Sequence, residues 1–238
     1  MRDGKTIGVV IPALNEEAAI GRVIADIPAW VDRIVVADNG SRDRTAEVAR
    51  TAGATVVAEP EPGYGAACLA GLAELRDIDV IVFLDGDYSD YPEDMANLVG
   101  PVTSGVADMV LGSRVLGKRE PGSLTPQQHF GNWLATSLIR IIWGARYTDL
   151  GPFRAISRGA LEALSMADRN YGWTVEMQVK AAELGLKSRE VPVRYRRRIG
   201  VSKVSGTITG SVKAGVKILA VIGRHALRAR SARARAKG

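Results

Sequence analysis

The sequence predicts a layered α/β fold built from parallel βαβ units in a globular domain, and two observations support this prediction. Short runs rich in Val and Ile alternate with segments whose apolar residues recur at helical spacing. The 238 residues are 46% apolar and 24% charged, which is typical of a globular protein with a substantial core. Such alternation gives parallel βαβ units, whose ligands bind at the carboxyl ends of the strands.

Strands and helices are predicted along the whole chain, and their pattern changes in the middle. In the first half, strands at 6–11, 33–37, 55–58 and 80–84 enclose helices at 16–27, 43–52 and 65–75. A long loop rich in Gly, Pro and charge is predicted at 117–128. In the second half, the predicted strands are 108–112, 153–156 and 188–195, and the predicted helices are 130–143, 158–164 and 173–184.

No internal repeat or clean linker divides the chain, so we expect one domain over 1–205. A basic amphipathic helix at 206–238 follows it and is expected to fray after about Arg224. Cys68 is the single cysteine and cannot form an internal disulfide, which fits a reducing compartment. The chain shows no signal-peptide pattern and no run of about 20 uncharged apolar residues, so a cytoplasmic protein is expected.

Two carboxylates follow the fourth predicted strand, in the triplet Asp85-Gly86-Asp87. Residues two apart on a strand point to the same side, so both carboxylates are available to one ligand. Gly86 leaves room for a ligand to approach the backbone closely. Oxygen ligands of this kind suit Mg²⁺ or Mn²⁺, the ions that hold diphosphates, whereas a solvated acidic turn is the alternative for an isolated triplet.

Polar turns also follow the first three strands, where a doubly wound sheet binds its ligands. Asn15 follows the first strand and is alternatively a helix N-cap, while Asp38 can accept a hydrogen bond from a nucleotide base. Gly65 lies at the start of the third helix, where backbone N–H groups can bind phosphate. No Gly-x-Gly-x-x-Gly follows the first strand and no Gly-Lys-Ser/Thr occurs, which disfavours dinucleotide dehydrogenases and P-loop enzymes.

Together these segments resemble the inverting family 2 glycosyltransferases. The resemblance covers residues 6–205 and rests on the order and spacing of several motifs. They are Pro12…Asn15-Glu16-Glu17, Asp38-Asn-Gly-Ser-x-Asp43-x-Thr45, Asp85-Gly-Asp87, Gly112-Ser113-Arg114 and Asp149-Leu-Gly-Pro-Phe153-Arg154. The segment from Glu190 to Lys203 is similar to the tail motif of the polyprenyl-phosphate branch, which includes the dolichyl-phosphate mannose synthases.

The resemblance implies a GT-A fold, a Rossmann-like α/β/α arrangement whose sheet is mixed but mainly parallel. It also implies a nucleotide-sugar half at 1–115 and an acceptor half at 116–205. The donor would be a UDP- or GDP-linked sugar. The implied donor-binding residues are Pro12, Leu14, Asn15, Glu16, Asp38, Gly65, Asp85 and Gly86. Asp85 and Asp87 would hold Mg²⁺ or Mn²⁺, with Ser89 at the position where the synthase branch has a third ligand, Gln. Asn39 replaces the second acid of the family's usual Asp-Asp pair.

Sugar transfer builds negative charge on the departing diphosphate, so cations are needed there. The candidate phosphate- and acceptor-binding residues are Arg114, Arg154, Arg197, Arg198, Ser202 and Lys203. A polyprenyl phosphate acceptor is ionised near neutral pH and can attack without a protein base. A soluble hydroxyl or polysaccharide acceptor, the alternative, needs a base, for which Glu176 is the first candidate and Asp149 the second. The predicted catalytic set is therefore Asp87, Glu176, Asp149 and Arg114.

A strongly basic carboxyl-terminal region suggests an anionic partner. Residues 187–238 contain 15 Lys/Arg and one acid, Glu190, within a chain whose net charge is +6. A basic amphipathic helix can lie on an anionic leaflet, so peripheral attachment to the inner face of the cell membrane is a hypothesis. Pairing with a second copy of the chain is another. Nucleic acid binding is the remote alternative, and it is not expected because aromatic and basic residues are not interleaved there.

Overall fold

A computed structural model describes residues 1–200 and 208–235 of the chain. Within them, seven strands form one sheet: β1 (Ile7–Ala13), β2 (Arg33–Asp38), β3 (Thr55–Ala58), β4 (Val80–Phe83), β5 (Met109–Ser113), β6 (Arg154–Ser157) and β7 (Ser188–Pro192). The α-helices are α1 (Ile20–Ala25), α2 (Thr45–Thr51), α3 (Tyr64–Ala73), α4 (Met95–Thr103), α5 (Pro126–Trp143), α6 (Arg158–Leu164), α7 (Trp173–Glu183) and α8 (Ile208–Arg235). A 3₁₀ turn at Pro92–Asp94 precedes α4.

The strand order is β3-β2-β1-β4-β6-β5-β7. Only β6, among these strands, runs antiparallel to its neighbours β4 and β5, so the predicted mixed and mainly parallel sheet is confirmed. Ala13 lies opposite Asp38, which means that the loops after β1 and β2 leave the sheet side by side. The loop after the parallel strand β4 leaves at the same edge.

Apolar side chains cover both faces of the sheet, as strand periodicity requires. On β1, Val9 and Ile11 pack under α1 and α4, while Val10 between them packs on the opposite face with α3 and α7. A third cluster joins α5, α7 and α8, and its members include Ile139, Val175 and Val221. None of the described helices combines the length and the hydropathy that crossing a bilayer requires.

Several boundaries differ from the predictions, for local reasons. Helix α4 lies in a stretch to which the sequence analysis assigned no helix, and it contains Pro101. Helix α5 begins four residues before the predicted start, since Thr125 and Gln128 form a reciprocal capping box with proline at the first helical position. Helix α8 continues to Arg235 rather than fraying near Arg224, because Ala and Arg are strong helix formers.

Candidate active site

Asp85 and Asp87 lie together at the carboxyl end of β4, as predicted. The Asp87 side chain is 2% exposed; its Oδ1 accepts hydrogen bonds from the Ser89 backbone N–H (2.9 Å) and hydroxyl (2.5 Å). Its Oδ2 forms an ion pair with Arg198. Asp85 Oδ1 accepts a hydrogen bond from the Tyr64 hydroxyl at 3.1 Å. Ser89 therefore orients Asp87 through its own hydroxyl, a role that the sequence analysis did not assign to it.

A single cation interacts with both carboxylates. Burial raises the pKa of Asp85 above its ordinary value, and the Arg198 guanidinium is the strongest influence in the opposite direction. The same guanidinium is paired with Asp87. Asp87 is buried and Asp85 is half-buried. Two carboxylates that flank one positive charge form a site suited to a cation, and their hard oxygen atoms suit Mg²⁺ or Mn²⁺.

Two carboxylates, Asp85 and Asp87, are enough protein ligands for such an ion. The described residues contain no cluster of three or more His, Cys, Asp or Glu side chains arranged around one metal position. Mg²⁺ is commonly bound by one or two carboxylates together with water and the phosphates of a substrate. The two aspartates therefore fit an ion that is held jointly with a diphosphate.

The turn after Asp87 is held in an uncommon conformation by Arg196. Tyr88 has a φ of +66°, in the left-handed region that non-glycine residues seldom adopt. The Arg196 guanidinium lies 3.3 Å from the centre of the Tyr88 ring and donates to the backbone oxygens of Tyr88 (2.6 Å) and Asp90 (3.1 Å). The Tyr88 hydroxyl donates to Asp26 at 2.7 Å. Arg196 thus fixes the backbone on which Asp87 is carried.

Replacing Arg196 with glutamine is expected to lower kcat/KM by about 10- to 100-fold, the usual cost of losing a group that orients metal ligands. The Mn²⁺ concentration that gives half-maximal activity should rise in parallel, because the variant misplaces Asp87. Arg194→Gln is the matched control: Arg194 also stacks on a tyrosine, Tyr91, but it pairs with Asp94 and Glu93 on the surface. Equal Mn²⁺ dependence in both variants would contradict this role.

Asp90 is a buried carboxyl that the sequence analysis did not select. It is 1% exposed, and neither of its oxygen atoms makes a hydrogen bond of ordinary geometry with the described residues. Burial, reinforced by the charge of Asp85, raises the pKa of Asp90 to about 8, although Arg114 and the Asp85 backbone amide act in the opposite direction. Asp90 therefore holds a proton at neutral pH in the folded, metal-free protein.

This proton makes stability depend on pH. An aspartate in the unfolded chain holds its proton only below about pH 4. The stabilisation from the Asp90 proton is therefore complete below that pH and is lost as the pH rises through the folded-state pKa of about 8. Asp90→Asn should remove this loss, so that the variant gains stability relative to the wild type as the pH rises from about 4 to about 8. Urea unfolding in EDTA at a series of pH values measures the free energy of unfolding of both proteins. If that free energy changed with pH in the same way in the variant and the wild type, the assignment of the proton to Asp90 would be contradicted.

Arg114 and Asp149 form a buried, two-pronged ion pair beside the two metal-site candidates. Arg114 Nε donates to Asp149 Oδ2 at 2.8 Å and Nη2 donates to Oδ1 at 2.7 Å, with side-chain exposures of 12% and 1%. Burial alone would raise the pKa of Asp149, but the charge and hydrogen bonds of Arg114 outweigh it and lower the pKa below its ordinary value. Asp149 is therefore engaged in holding Arg114 rather than free to act as a base.

Three elements fix the segment that carries Asp149. Glu190, on β7, accepts hydrogen bonds from the backbone N–H groups of Thr148 (2.9 Å) and Asp149 (3.1 Å). Asn132, on α5, bonds the Thr148 oxygen and the Leu150 N–H. Gln178, on α7, donates to the Asp149 backbone oxygen at 3.0 Å. The sequence analysis used Glu190 only as part of a motif, because nothing in the sequence shows which backbone it contacts.

The predicted donor-binding loops after β1 and β2 are joined to each other. Asn15 accepts a hydrogen bond from the Arg42 N–H at 2.8 Å and donates its own N–H to Ser41 at 2.9 Å, so it connects the loops and is not the N-cap of α1. Asn39 binds the third loop, donating to the Glu59 and Glu61 oxygens and accepting from the Gly63 N–H. Three other predicted donor-binding residues, Pro12, Leu14 and Asp38, are half-buried at this edge. Glu16 is buried, with 9% of its surface exposed.

At two predicted donor-binding glycines, Gly65 and Gly86, protein atoms occupy the space where a side chain would lie. A Cβ on Gly65 would lie 1.9 Å from the Asp168 backbone oxygen, so this buried glycine accommodates a neighbouring chain segment. A Cβ on Gly86 would meet Ile11 and Ile20 in the core at 3.4 Å and 3.5 Å. Packing within the protein therefore explains the missing side chains, and a ligand contact through the backbone atoms of these glycines stays a prediction.

Arg154 was predicted to bind phosphate, and its position contradicts this. The side chain is 0% exposed and donates to the backbone oxygens of Gly151 and, at 3.0 Å, Thr174. Burial lowers the pKa of Arg154 to about 10, which is the cost of placing a cation in the core. Arg154 therefore holds the turn before β6 against α7 and offers no surface to a ligand.

Glu176 also makes contacts within the protein. Its Oε2 accepts hydrogen bonds from the N–H groups of Ala167 (3.1 Å) and Asp168 (2.8 Å), and its Oε1 pairs with Lys180 at 2.9 Å. The side chain is 5% exposed. Because both oxygens are engaged, these contacts favour a role in positioning the segment that packs on Gly65.

Of the remaining basic residues that were predicted to bind phosphate or the acceptor, one lies at the site and another lies outside it. Arg198 is 31% exposed and reaches the site through Asp87. Arg197 instead donates its backbone N–H to Glu120 at 2.9 Å and its Nε to the Pro121 oxygen at 2.8 Å, so it anchors the long loop before α5. Ser202 and Lys203 lie outside the described residues.

Comparisons with known proteins point to one family. A family model described as Glycosyl transferase family 2 matches residues 8–165. An uncharacterized glycosyltransferase of Mycobacterium tuberculosis is 37% identical over 219 residues, which cover 88% of this chain and 94% of that protein. A dolichyl-phosphate hexose transferase of Haloferax volcanii is 32% identical, with coverage of 93% and 96%. Glucosyl-3-phosphoglycerate synthase from Mycobacterium tuberculosis, solved with Mn²⁺, UDP and glucosyl-3-phosphoglycerate, has a TM-score of 0.76 at 26% identity, covering 94% of this chain and 80% of that one.

Proposed function

The chain belongs to glycosyltransferase family 2, and from this premise we propose that it moves a hexosyl group, with inversion, from a nucleotide-diphosphate sugar to a polyprenyl phosphate. The predicted GT-A fold is confirmed by the sheet and by the likeness to a solved synthase. Asp38 and the loops after β1 and β2 would bind the nucleoside, as the resemblance implies. UDP in that solved neighbour supports a uridine nucleotide as the donor.

Asp85 and Asp87 would hold Mg²⁺ or Mn²⁺ together with the donor diphosphate. When bound there, the ion would neutralise the charge that develops on the leaving group. Mn²⁺ is present in the neighbouring synthase complex, which supports the assignment. Arg114 and Arg198 supply positive charge beside the same carboxylates, and a guanidinium can bind two phosphate oxygens at once.

The acceptor proposal rests on one observation: both predicted bases are occupied. Asp149 is bound to Arg114, and Glu176 is bound by two backbone N–H groups and Lys180. A phosphate monoester is already ionised near neutral pH, so it can attack the sugar without giving a proton to the protein. The relative that acts on dolichyl phosphate supports the same acceptor class. Such an acceptor places the enzyme at the inner face of the cell membrane.

A soluble acceptor is the second candidate. The neighbouring synthase has been solved with phosphoglyceric acid, a small soluble molecule. If this chain used Glu176 as the base for a hydroxyl acceptor, Glu176 would have to release Lys180 from Oε1 or its backbone partners from Oε2 in order to accept a proton.

Radiolabelled UDP- and GDP-hexoses, incubated with Mn²⁺ and a polyprenyl phosphate, test the proposal. The expected result is an acid-labile product that partitions into organic solvent and that requires the divalent ion. Label that moves only to a water-soluble acceptor would overturn the polyprenyl proposal while leaving the family assignment intact. A Glu176→Gln variant with unchanged turnover would support the base-free mechanism.

A further inference from the structure

Helix α8 has two apolar faces. The inner face, which includes Ile218, Val221 and Ile222, packs against α5 and α7. The outer face consists of Val212, Val216, Leu219 and Leu227, whose side chains are 58%, 61%, 42% and 67% exposed. These four residues recur at intervals of four, three and eight, which places them along one stripe of a helix with 3.6 residues per turn. A packed helix needs only one apolar face, so the outer stripe is unexplained by folding.

Helix α5, which packs beside α8, also exposes apolar side chains. Phe130, Trp133 and Ile141 are 62%, 61% and 78% exposed and share one face of the helix. The rings of Phe130 and Trp133 are in contact, with centroids 5.9 Å apart. Their opposite neighbours Ala135 and Ile139 are buried against the rest of the protein. Helix α5 therefore resembles α8: one of its apolar faces is buried and another is exposed.

The charged residues of these two helices have one sign. Neither α5 nor α8 contains an acidic residue. Lys213, Lys217, Arg224 and Arg228 lie on the flank of α8 between its inner and outer faces, as their spacing along the helix requires. Lys217 reaches back to Asp168 at 2.8 Å. An apolar stripe edged by cations is complementary to a bilayer that carries anionic headgroups.

We propose that the outer faces of α5 and α8 form a docking surface that inserts shallowly into an anionic lipid bilayer. Phe130 and Trp133 are suited to the headgroup boundary, where aromatic side chains are enriched. A second copy of this chain is a poorer occupant, because it would bring two basic, acid-free helix pairs together and like charges would repel. The surface does not depend on which acceptor the enzyme uses.

Co-sedimentation of the full chain with vesicles tests this surface. The wild type should bind vesicles of mixed phosphatidylcholine and phosphatidylglycerol but not vesicles of pure phosphatidylcholine. Replacing both Val216 and Leu219 with serine should weaken binding by about tenfold or more, since both apolar contacts with the bilayer are lost. Val106→Ser with Leu184→Ser is the matched control, because these exposed apolar residues (45% and 54%) lie on other elements.

Three outcomes would overturn the proposal. The first is equal vesicle binding by the two double variants, and the second is equal binding of the wild type to neutral and anionic vesicles. The third is a wild type that binds no vesicles but forms a dimer in solution, which the Val216/Leu219 double variant abolishes. UDP binding in the presence of Mn²⁺ and transfer to a short, water-soluble prenyl phosphate are measured in the same preparations. These two readouts report on the donor site and the acceptor chemistry, so failure of the surface is distinguishable from failure of the proposed function.

Discussion

Replacing Asp87 with asparagine is expected to lower kcat/KM for sugar transfer by about 10³-fold or more, equivalent to about 4 kcal/mol of transition-state stabilisation. Asparagine keeps the size of the side chain but removes one of the two negative charges that would hold the ion. Its amide nitrogen can also face Arg198, which would then lose its ion-pair partner. Calorimetry of UDP binding with and without Mn²⁺ should show that the metal-dependent part of the affinity is lost.

A matched control exists at the opposite end of the same strand. Asp77 precedes β4 and pairs with Arg33 at 2.7 Å, as Asp87 pairs with Arg198, but it is 67% exposed. Asp77→Asn should leave turnover and Mn²⁺ dependence unchanged. If Asp87→Asn turned over at the wild-type rate with normal Mn²⁺ dependence, the assignment of the metal site to this turn would be refuted.

Replacing Asp149 with asparagine is expected to destabilise the protein by about 3–5 kcal/mol, because the variant leaves Arg114 buried without its paired charge. Activity should fall as well, since the Asp149 carboxylate orients the Arg114 guanidinium beside Asp85. Thermal or urea unfolding measures the first effect and single-turnover transfer at saturating donor measures the second.

A double variant separates the two effects. Replacing the pair by apolar residues, as Arg114→Met with Asp149→Leu, should recover much of the lost stability because no unpaired charge remains buried. Activity should stay low, since the cation beside the carboxylates is gone. A double variant that recovers both stability and activity would show that Arg114 has no part in the reaction.

The central part of the site could be predicted because it depends on local periodicity and on general rules of topology. The alternation of β4 places Asp85 and Asp87 on one side, and parallel strands bring their carboxyl ends to one edge. The resemblance added Arg114 and Arg198: Arg198 pairs with Asp87, and the charge of Arg114 acts on Asp85. Ligand contacts and catalytic roles remain predictions for all four residues.

The positioning contacts could not be predicted, because they join residues far apart in the chain. Arg196 contacts Tyr88 across 108 positions, and the sequence offers three adjacent arginines with no sign of which one faces the turn. The prediction for Arg154 failed for a related reason. A motif shows that an arginine or a glycine is present, but packing decides whether a ligand or the protein's own backbone occupies the neighbouring space.

The antiparallel strand β6 restricts how the halves of this enzyme can be recombined. Phe83 of β4 pairs with Arg154 of β6, so the strand that leads to Asp85 takes one of its two neighbours from the second half of the chain. A fragment ending near residue 115 would leave that edge of β4 open, and open edges promote self-association. A chimaera that imports the second half from another family member must therefore supply a β6 whose register matches the recipient's β4.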